Sequence, residues 1–354
     1  MKRNYSIDLI KSSAVFFVVS VHFLLNSGFY DEPIQSNLMI FWMLTRQLTI
    51  TAVPLFLLST GFLMNKKQLS VAYLKNLFPV LFLYISISIF DWICSCFTRG
   101  EISQNFTEAI FGLFDYSTDS YSWYVEMYIG LYLVIPLLNL IWQSNKNLFF
   151  HHYIVGVSLL LFFMPSLLNS FGKVIPDFWV PAYPIGYYFI GAYLAEYQED
   201  FKKMKKTGLF LLMMIICFFF IDLLINRQTN YQDFDGNQYS GFEPLIISVL
   251  FFIFCLNRSL PHISHCFLKR ISTGTLGIYL MSDVTDKLIY SWAEYLFPTV
   301  EARLRYGYLF ILLSFIGALI LSFPFEYGKN KLQDKMKEKK TLERKKECVS
   351  TKIY

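Results

Sequence analysis

Charge is scarce in this sequence. Of its 354 residues only 16% are charged, where a soluble globular domain usually carries about 25%. Length alone would allow two soluble domains, but long apolar runs reach from near residue 7 to residue 325 and remove that option. Nucleotide-binding signatures are missing too. There is no Walker-type Gly-rich lysine loop and no Gly-x-Gly-x-x-Gly, so nucleotide hydrolysis is not expected, and nothing points to a nucleic-acid partner. The six cysteines, Cys94, Cys96, Cys217, Cys255, Cys266 and Cys348, show no ligand spacing with histidines, and most fall inside or beside apolar runs. Neither a disulfide framework nor a zinc or other metal site is expected from them. An internal repeat of the kind many transporters show is also lacking. The opening Met1-Lys2-Arg3 imitates a signal peptide, yet Asp8 and Lys11 interrupt the apolar run and no small-x-small cleavage site follows Phe23. The expectation is a retained first helix.

What the chain has in quantity is apolar and aromatic surface, 55% and 19% of its residues. A spanning helix needs about 20 mainly apolar residues, because each rises 1.5 Å through a hydrocarbon core about 30 Å thick. Such runs lie near 7–26, 47–64, 74–97, 122–142, 153–170, 182–197, 207–225, 243–257, 276–297 and 307–325. Open strands would leave backbone groups unsatisfied in lipid. The expected fold is an all-α integral membrane protein of about ten transmembrane helices. It divides into a membrane domain, 1–328, and a basic tail, 329–354.

Basic residues set the orientation. With the N-terminus inside, about 24 of the 31 lysines and arginines fall in inner loops and tail. The outer ones are Arg46, Arg99, Lys173, Arg227, Lys287, Arg303 and Arg305. An even number of helices returns the C-terminus to the same side, so both termini are expected in the cytoplasm. The tail either satisfies the positive-inside rule or also binds anionic lipid headgroups. The outer segments mix acids and aromatics: Glu101, Glu108, Asp115 and Asp119 with Phe106, Phe111, Phe114 and Tyr116, then Tyr231, Asp233, Phe234, Asp235 and Tyr239. Such mixtures suit sugar recognition and equally suit a membrane-interface belt.

Ionisable side chains within the apolar runs are the candidates for function, since each costs roughly 2.5–3.5 kcal/mol to insert at mid-membrane. Lys11 and His22 are eleven positions apart, which makes three turns plus roughly 20°. They share one face of the first helix, separated by about 16 Å along its axis. Asp8 falls near the same stripe. Singly, Lys11 has a snorkelling explanation and His22 a packing one. Arg46 either contacts substrate or anchors its helix end, and Glu126 either faces a cavity or sits solvated at the interface. Asp91, Asp222 and Glu196 read as solvated helix-end residues. Asp283, Asp286 and Lys287 form a local cluster, in which Asp283 and Lys287 read as a structural i, i+4 ion pair.

Taken together, several segments resemble the acyltransferase-3 family, bacterial integral-membrane acyltransferases that modify surface polysaccharides and other envelope glycans. Ile7-Asp8-Leu9-Ile10-Lys11 through Val18-Val19-Ser20-Val21-His22-Phe23 is similar to the family's first helix, with its basic residue, ten-residue gap and His. Val53-Pro54-Leu55-Phe56-Leu57-Leu58-Ser59-Thr60-Gly61 resembles the second, departing from it where Thr60 intervenes between Ser59 and Gly61. Ser122-Trp123-Tyr124 through Pro136 and Tyr187-Tyr188-Phe189-Ile190-Gly191 resemble later ones. Gly277-Ile278-Tyr279-Leu280-Met281 matches a segment that many members follow with His, where this chain has Ser282-Asp283. Either Asp283 replaces that His or its role is absent. The resemblance covers almost the whole chain, and no appended extracytoplasmic hydrolase-like domain is expected.

The resemblance implies transfer of an acyl, most simply acetyl, group from acyl-CoA to a hydroxyl of an envelope glycan, in the bacterial cytoplasmic membrane. It implies no tightly bound cofactor. His22 is then the candidate general base or covalent acyl carrier. Lys11 is the candidate partner of donor phosphates or of the oxyanion, and Asp8, Arg46 and Glu126 are candidate binding residues. A non-enzymatic transporter or flippase for envelope precursors also fits about ten helices with sparse buried charge. A glycan polymerase would usually carry a larger outer loop with arginines.

Overall fold

A computed structural model describes residues 3–98, 104–170, 172–233, 238–259, 261 and 264–350, with the backbone alone for 97–98 and 339–350. Arg99, Glu101, Phe234 and Asp235 lie outside the described residues, as do the side chains of Glu343, Glu347 and Cys348. No strand is present among the described residues. Seventeen described α-helices follow one another. The first half comprises α1 (Tyr5–Asn26), α2 (Asn37–Thr49), α3 (Ala52–Met64), α4 (Val71–Lys75), α5 (Phe78–Thr98), α6 (Phe106–Asp115), α7 (Trp123–Ser144), α8 (Leu148–Phe162) and α9 (Met164–Leu168). The second comprises α10 (Tyr183–Glu196), α11 (Gln198–Lys203), α12 (Thr207–Asn226), α13 (Phe242–Leu256), α14 (Ser264–Thr273), α15 (Thr275–Leu296), α16 (Val300–Arg305) and α17 (Gly307–Ser350). Polar residues start several of them. Asn4, Ser36, Ser70, Asn105 and Asn147 each accept a first-turn N–H through the side chain.

Each of the ten expected spans overlaps at least one α-helix, and those at 47–64, 74–97 and 153–170 cross a break between two helices. Six stretches are long and apolar enough to cross a membrane: Tyr5–Asn26, Asn37–Met64, Val71–Cys96, Trp123–Ser144, Thr207–Asn226 and Gly307–Glu338. Two further helices, Leu148–Phe162 and Phe242–Leu256, are apolar but shorter. α10 is short as well, and α15 carries Asp283, Asp286, Lys287 and Glu294 along its length. The chain is a multi-pass membrane protein.

Burial separates central helices from peripheral ones. The apolar windows of Tyr5–Asn26 and Asn37–Met64 are 72% and 78% buried, whereas that of Thr207–Asn226 is 17% buried and turns Leu209, Leu212, Phe220 and Leu224 outward. α3 crosses α10 at backbone contact. A Cβ on Gly61 would stand 2.0 Å from the Tyr188 carbonyl oxygen, and one on Gly191 would stand 2.2 Å from that of Leu58. These are the glycines of two family-like segments, and the reason for them is this crossing.

Two irregularities prepare the site. The stretch Asn37–Met64 breaks at Ile50–Thr51, where the Thr49 and Thr51 hydroxyls donate to the carbonyls of Arg46 and Leu48 instead of continuing one helix. Non-helical backbone at membrane depth is tolerated where it is buried in protein or lines a cavity, and this break lies beside His22. The second is α17. The boundary expected after residue 328 falls inside one continuous helix, so the beginning of the basic tail is a rigid extension of the last membrane helix.

Candidate active site

The stripe on α1 faces protein. His22 is 6% exposed and stacks on Tyr121, with ring centroids 3.6 Å apart. Its Nδ1 lies 3.3 Å from the Ser282 hydroxyl and 3.6 Å from Oδ2 of Asp286. The Asp286 carboxylate is itself fixed, accepting from Tyr121 Oη at 2.9 Å and from Ser314 Oγ at 2.5 Å. Tyr121 also receives a hydrogen bond from Asn26, whose amide caps the His22 carbonyl. With Nδ1 directed at Ser282 and Asp286, Nε2 is the nitrogen left for chemistry. A niche of about 10 Å³ adjoins the ring, lined by His22, Thr49, Ile50, Trp123, Tyr239 and Tyr279 among others. It is about large enough for one water-sized oxygen.

Lys11 opens onto a different space. A cavity of about 360 Å³ runs between α1, α3, α7, α15 and α17. Lys11, Lys329, Gln333, Thr273 and Thr275 give it polar walls, and Phe56, Tyr124 and Tyr128 give it apolar ones. Tyr279 lines both the cavity and the niche. Its hydroxyl donates to the Tyr121 carbonyl at 2.8 Å, and its ring centroid is 5.9 Å from that of His22. One aromatic side chain therefore stands between the space that Lys11 reaches and the space that His22 reaches.

The remaining candidates separate. Asp8 is held by Arg3, at 2.6 and 2.8 Å, and by the Ser272 hydroxyl at 2.5 Å. It stays a charged neighbour of Lys11 but spends its hydrogen bonds on tying the N-terminus to α14. Arg46 is held on several sides: Tyr30 and Tyr231 accept at 2.9 Å each, and Asp233 takes a bidentate pair at 2.6 and 3.0 Å. Such a fork pins the loop after α12 to α2. Of the two readings of Arg46, this arrangement matches the anchor. Glu126 is exposed and lines neither space.

Two sequence expectations are corrected. Asp91 and Asp222 are buried, 1% and 0% exposed, because loops and neighbouring helices close over ends that look free in one dimension. Asp222 accepts from Gln47 at 3.0 Å. Asp91 shares Lys287, at 2.6 Å, with Asp283, at 2.7 Å. The i, i+4 pair of Asp283 and Lys287 is present, and it occupies Asp283, which also accepts the Ser120 N–H. It is Ser282 and Asp286 that turn to His22. In the loop before α7, burial and the charges of Asp283 and Asp91 push the Asp119 carboxyl well above the usual carboxylate range. Reasoning from sequence missed Asp286, Ser314, Tyr121 and Lys329 as site residues. A usable signal existed for one of them: Tyr279, Ser282 and Asp286 recur at three and four positions, a polar stripe on an apolar helix.

Polar side chains of α1, α15 and α17 thus gather around the His22–Asp286 pair. The model of the acyltransferase-3 family, described as an acyltransferase domain, matches residues 4–327. The chain belongs to this family and is a membrane acyltransferase. Searches of curated proteins and of solved structures return no significant match.

Proposed function

We propose that the protein is a membrane-bound O-acyltransferase of the bacterial cytoplasmic membrane. It takes an acyl group, acetyl in the simplest case, from acyl-CoA and places it on a hydroxyl of an envelope glycan. Ten helices cross the bilayer, with the shorter apolar helices, α10 and α15 completing the six long spans, and both termini are cytoplasmic. The basic side chains of the inner loops support that orientation.

His22 is the general base. Neutral imidazole accepts the acceptor hydroxyl's proton at Nε2 while the hydroxyl oxygen attacks the acyl carbonyl carbon. As the carbon–sulfur bond breaks, the thiolate of the donor leaves and takes that proton from the imidazolium. Ser282 orients the ring through Nδ1, and the Asp286 carboxylate beside it offsets the positive charge it carries in passing. Lys11 stands about 16 Å from His22 along α1, too far to serve an oxyanion formed at the imidazole. Its place at the polar end of the cavity suits the donor's phosphates instead.

The observation that carries this reading is the enclosed His22 ring, with Nδ1 against Ser282 and Asp286 and its open side on the niche. The test is to express wild type and His22→Ala at matched levels in a host lacking the gene, and to measure ester-linked acyl groups on its envelope glycans. Acylation by the wild type and none by the variant is expected. Equal acylation by both removes His22 from catalysis, and none by either removes the glycan as acceptor.

A further inference from the structure

The geometry points to Lys329, on the cytoplasmic extension of the last helix, as a second phosphate-binding residue that acts with Lys11 on the donor. The inference rests on the acyltransferase reading above and adds a residue from outside the apolar spans.

Three observations support it. First, Lys11 and Lys329 come from opposite ends of the sequence yet line one cavity, together with Gln333 and the hydroxyl residues Thr273 and Thr275. Second, the charges there do not balance. Lys11 makes no ion pair or hydrogen bond among the described residues, and Asp8 is engaged by Arg3 and Ser272. Lys329 is ion-paired with Glu326, one turn back on the same helix. The charged neighbours of Lys11 are Asp8, Lys329, Arg3 and Glu326, so three cations face two carboxylates, and an anion bound between the two ammonium groups offsets the surplus. Third, the cavity has a mixed lining: besides the two lysines it presents Phe56, Leu63, Tyr124 and Tyr128, and Tyr279 is a wall shared with the His22 niche. A molecule with a phosphorylated end and a slender, mainly apolar arm ending in a thioester matches that lining.

Lys329 is also held well. It projects from a helix that is continuous from Gly307 to Ser350, so its position is fixed by the membrane helix rather than by a loop. Its side chain is 12% exposed, unlike Lys337, which is 75% exposed. A lysine needed only to mark the cytoplasmic side would not have to be enclosed.

The test compares two donors with purified protein in neutral-lipid vesicles: acetyl-CoA, and S-acetylpantetheine, which has the same arm without phosphate. Lys329→Gln raises the KM for acetyl-CoA about tenfold, the scale of one charge-assisted contact, and leaves that for S-acetylpantetheine unchanged. Lys335→Gln, at an exposed position of the same helix, changes neither. Equal effects of Lys329→Gln on both donors, or no effect on either, overturn the inference. So does an effect that appears only when anionic lipid is added, which assigns the lysine to a headgroup phosphate. Binding of coenzyme A itself, followed by calorimetry, keeps this separate from the acyltransferase reading. If coenzyme A binds the wild type and binds Lys329→Gln about tenfold more weakly, the subsite stands even where no acyl transfer is seen. If transfer proceeds and both proteins bind coenzyme A equally, the subsite falls alone.

Discussion

Arg46 and His22 occupy two buried polar clusters on neighbouring helices, and they are finished differently. Around Arg46 four of the five guanidinium N–H groups are engaged, by Tyr30, Tyr231 and both oxygens of Asp233. Around His22 one ring nitrogen meets Ser282 and Asp286, and the other side of the ring meets a niche. A guanidinium gripped on several sides suits an anchor, while an imidazole that lines a niche suits chemistry. Both looked alike in sequence, as single ionisable residues in apolar runs, and their surroundings are what separates them.

Substitutions can break or sharpen that contrast. The largest effect belongs to His22→Ala, which lowers acyl transfer by about 10²–10⁴-fold, the range for a general base, with donor KM and thermal midpoint close to wild type. Asp286→Asn comes next. It leaves the ring in place but removes the charge behind it, and the turnover number falls about 10–100-fold, read as a loss in kcat rather than in KM. Arg46→Gln moves a different quantity. Removing one partner of a buried pair costs about 3–5 kcal/mol of stability, so the melting temperature and membrane yield drop while the folded fraction keeps its kcat. Glu126→Gln, at an exposed position, changes transfer by less than about twofold, as surface substitutions do. If Arg46→Gln instead abolished turnover in a well-folded protein, the division between the two clusters would be wrong.

Much of the fold was legible because its causes are local. Helical periodicity alone puts Lys11 and His22 on one face of α1, and the length of the apolar runs marks the long membrane helices. The family-like glycines, Gly61 and Gly191, could be seen in sequence, but the reason for them is a contact between helices 130 positions apart, at Tyr188 and Leu58. The same limit hid the partner of His22. Asp286 is separated from it by most of the chain, and Asp283, nearer to the position where relatives carry His, drew attention although Lys287 holds it. Asp91 and Asp222 were misjudged for a related reason, since nearness to a helix end in sequence says nothing about what folds over that end. Lys329 was read as part of a charged tail because the continuity of α17 cannot be seen in composition.

Acyl transfer by purified His22→Ala, measured beside its binding of coenzyme A, bears most directly on the whole account. The expected result is a folded protein that binds coenzyme A as the wild type does and transfers no acyl group above background. Transfer at the wild-type rate would contradict it.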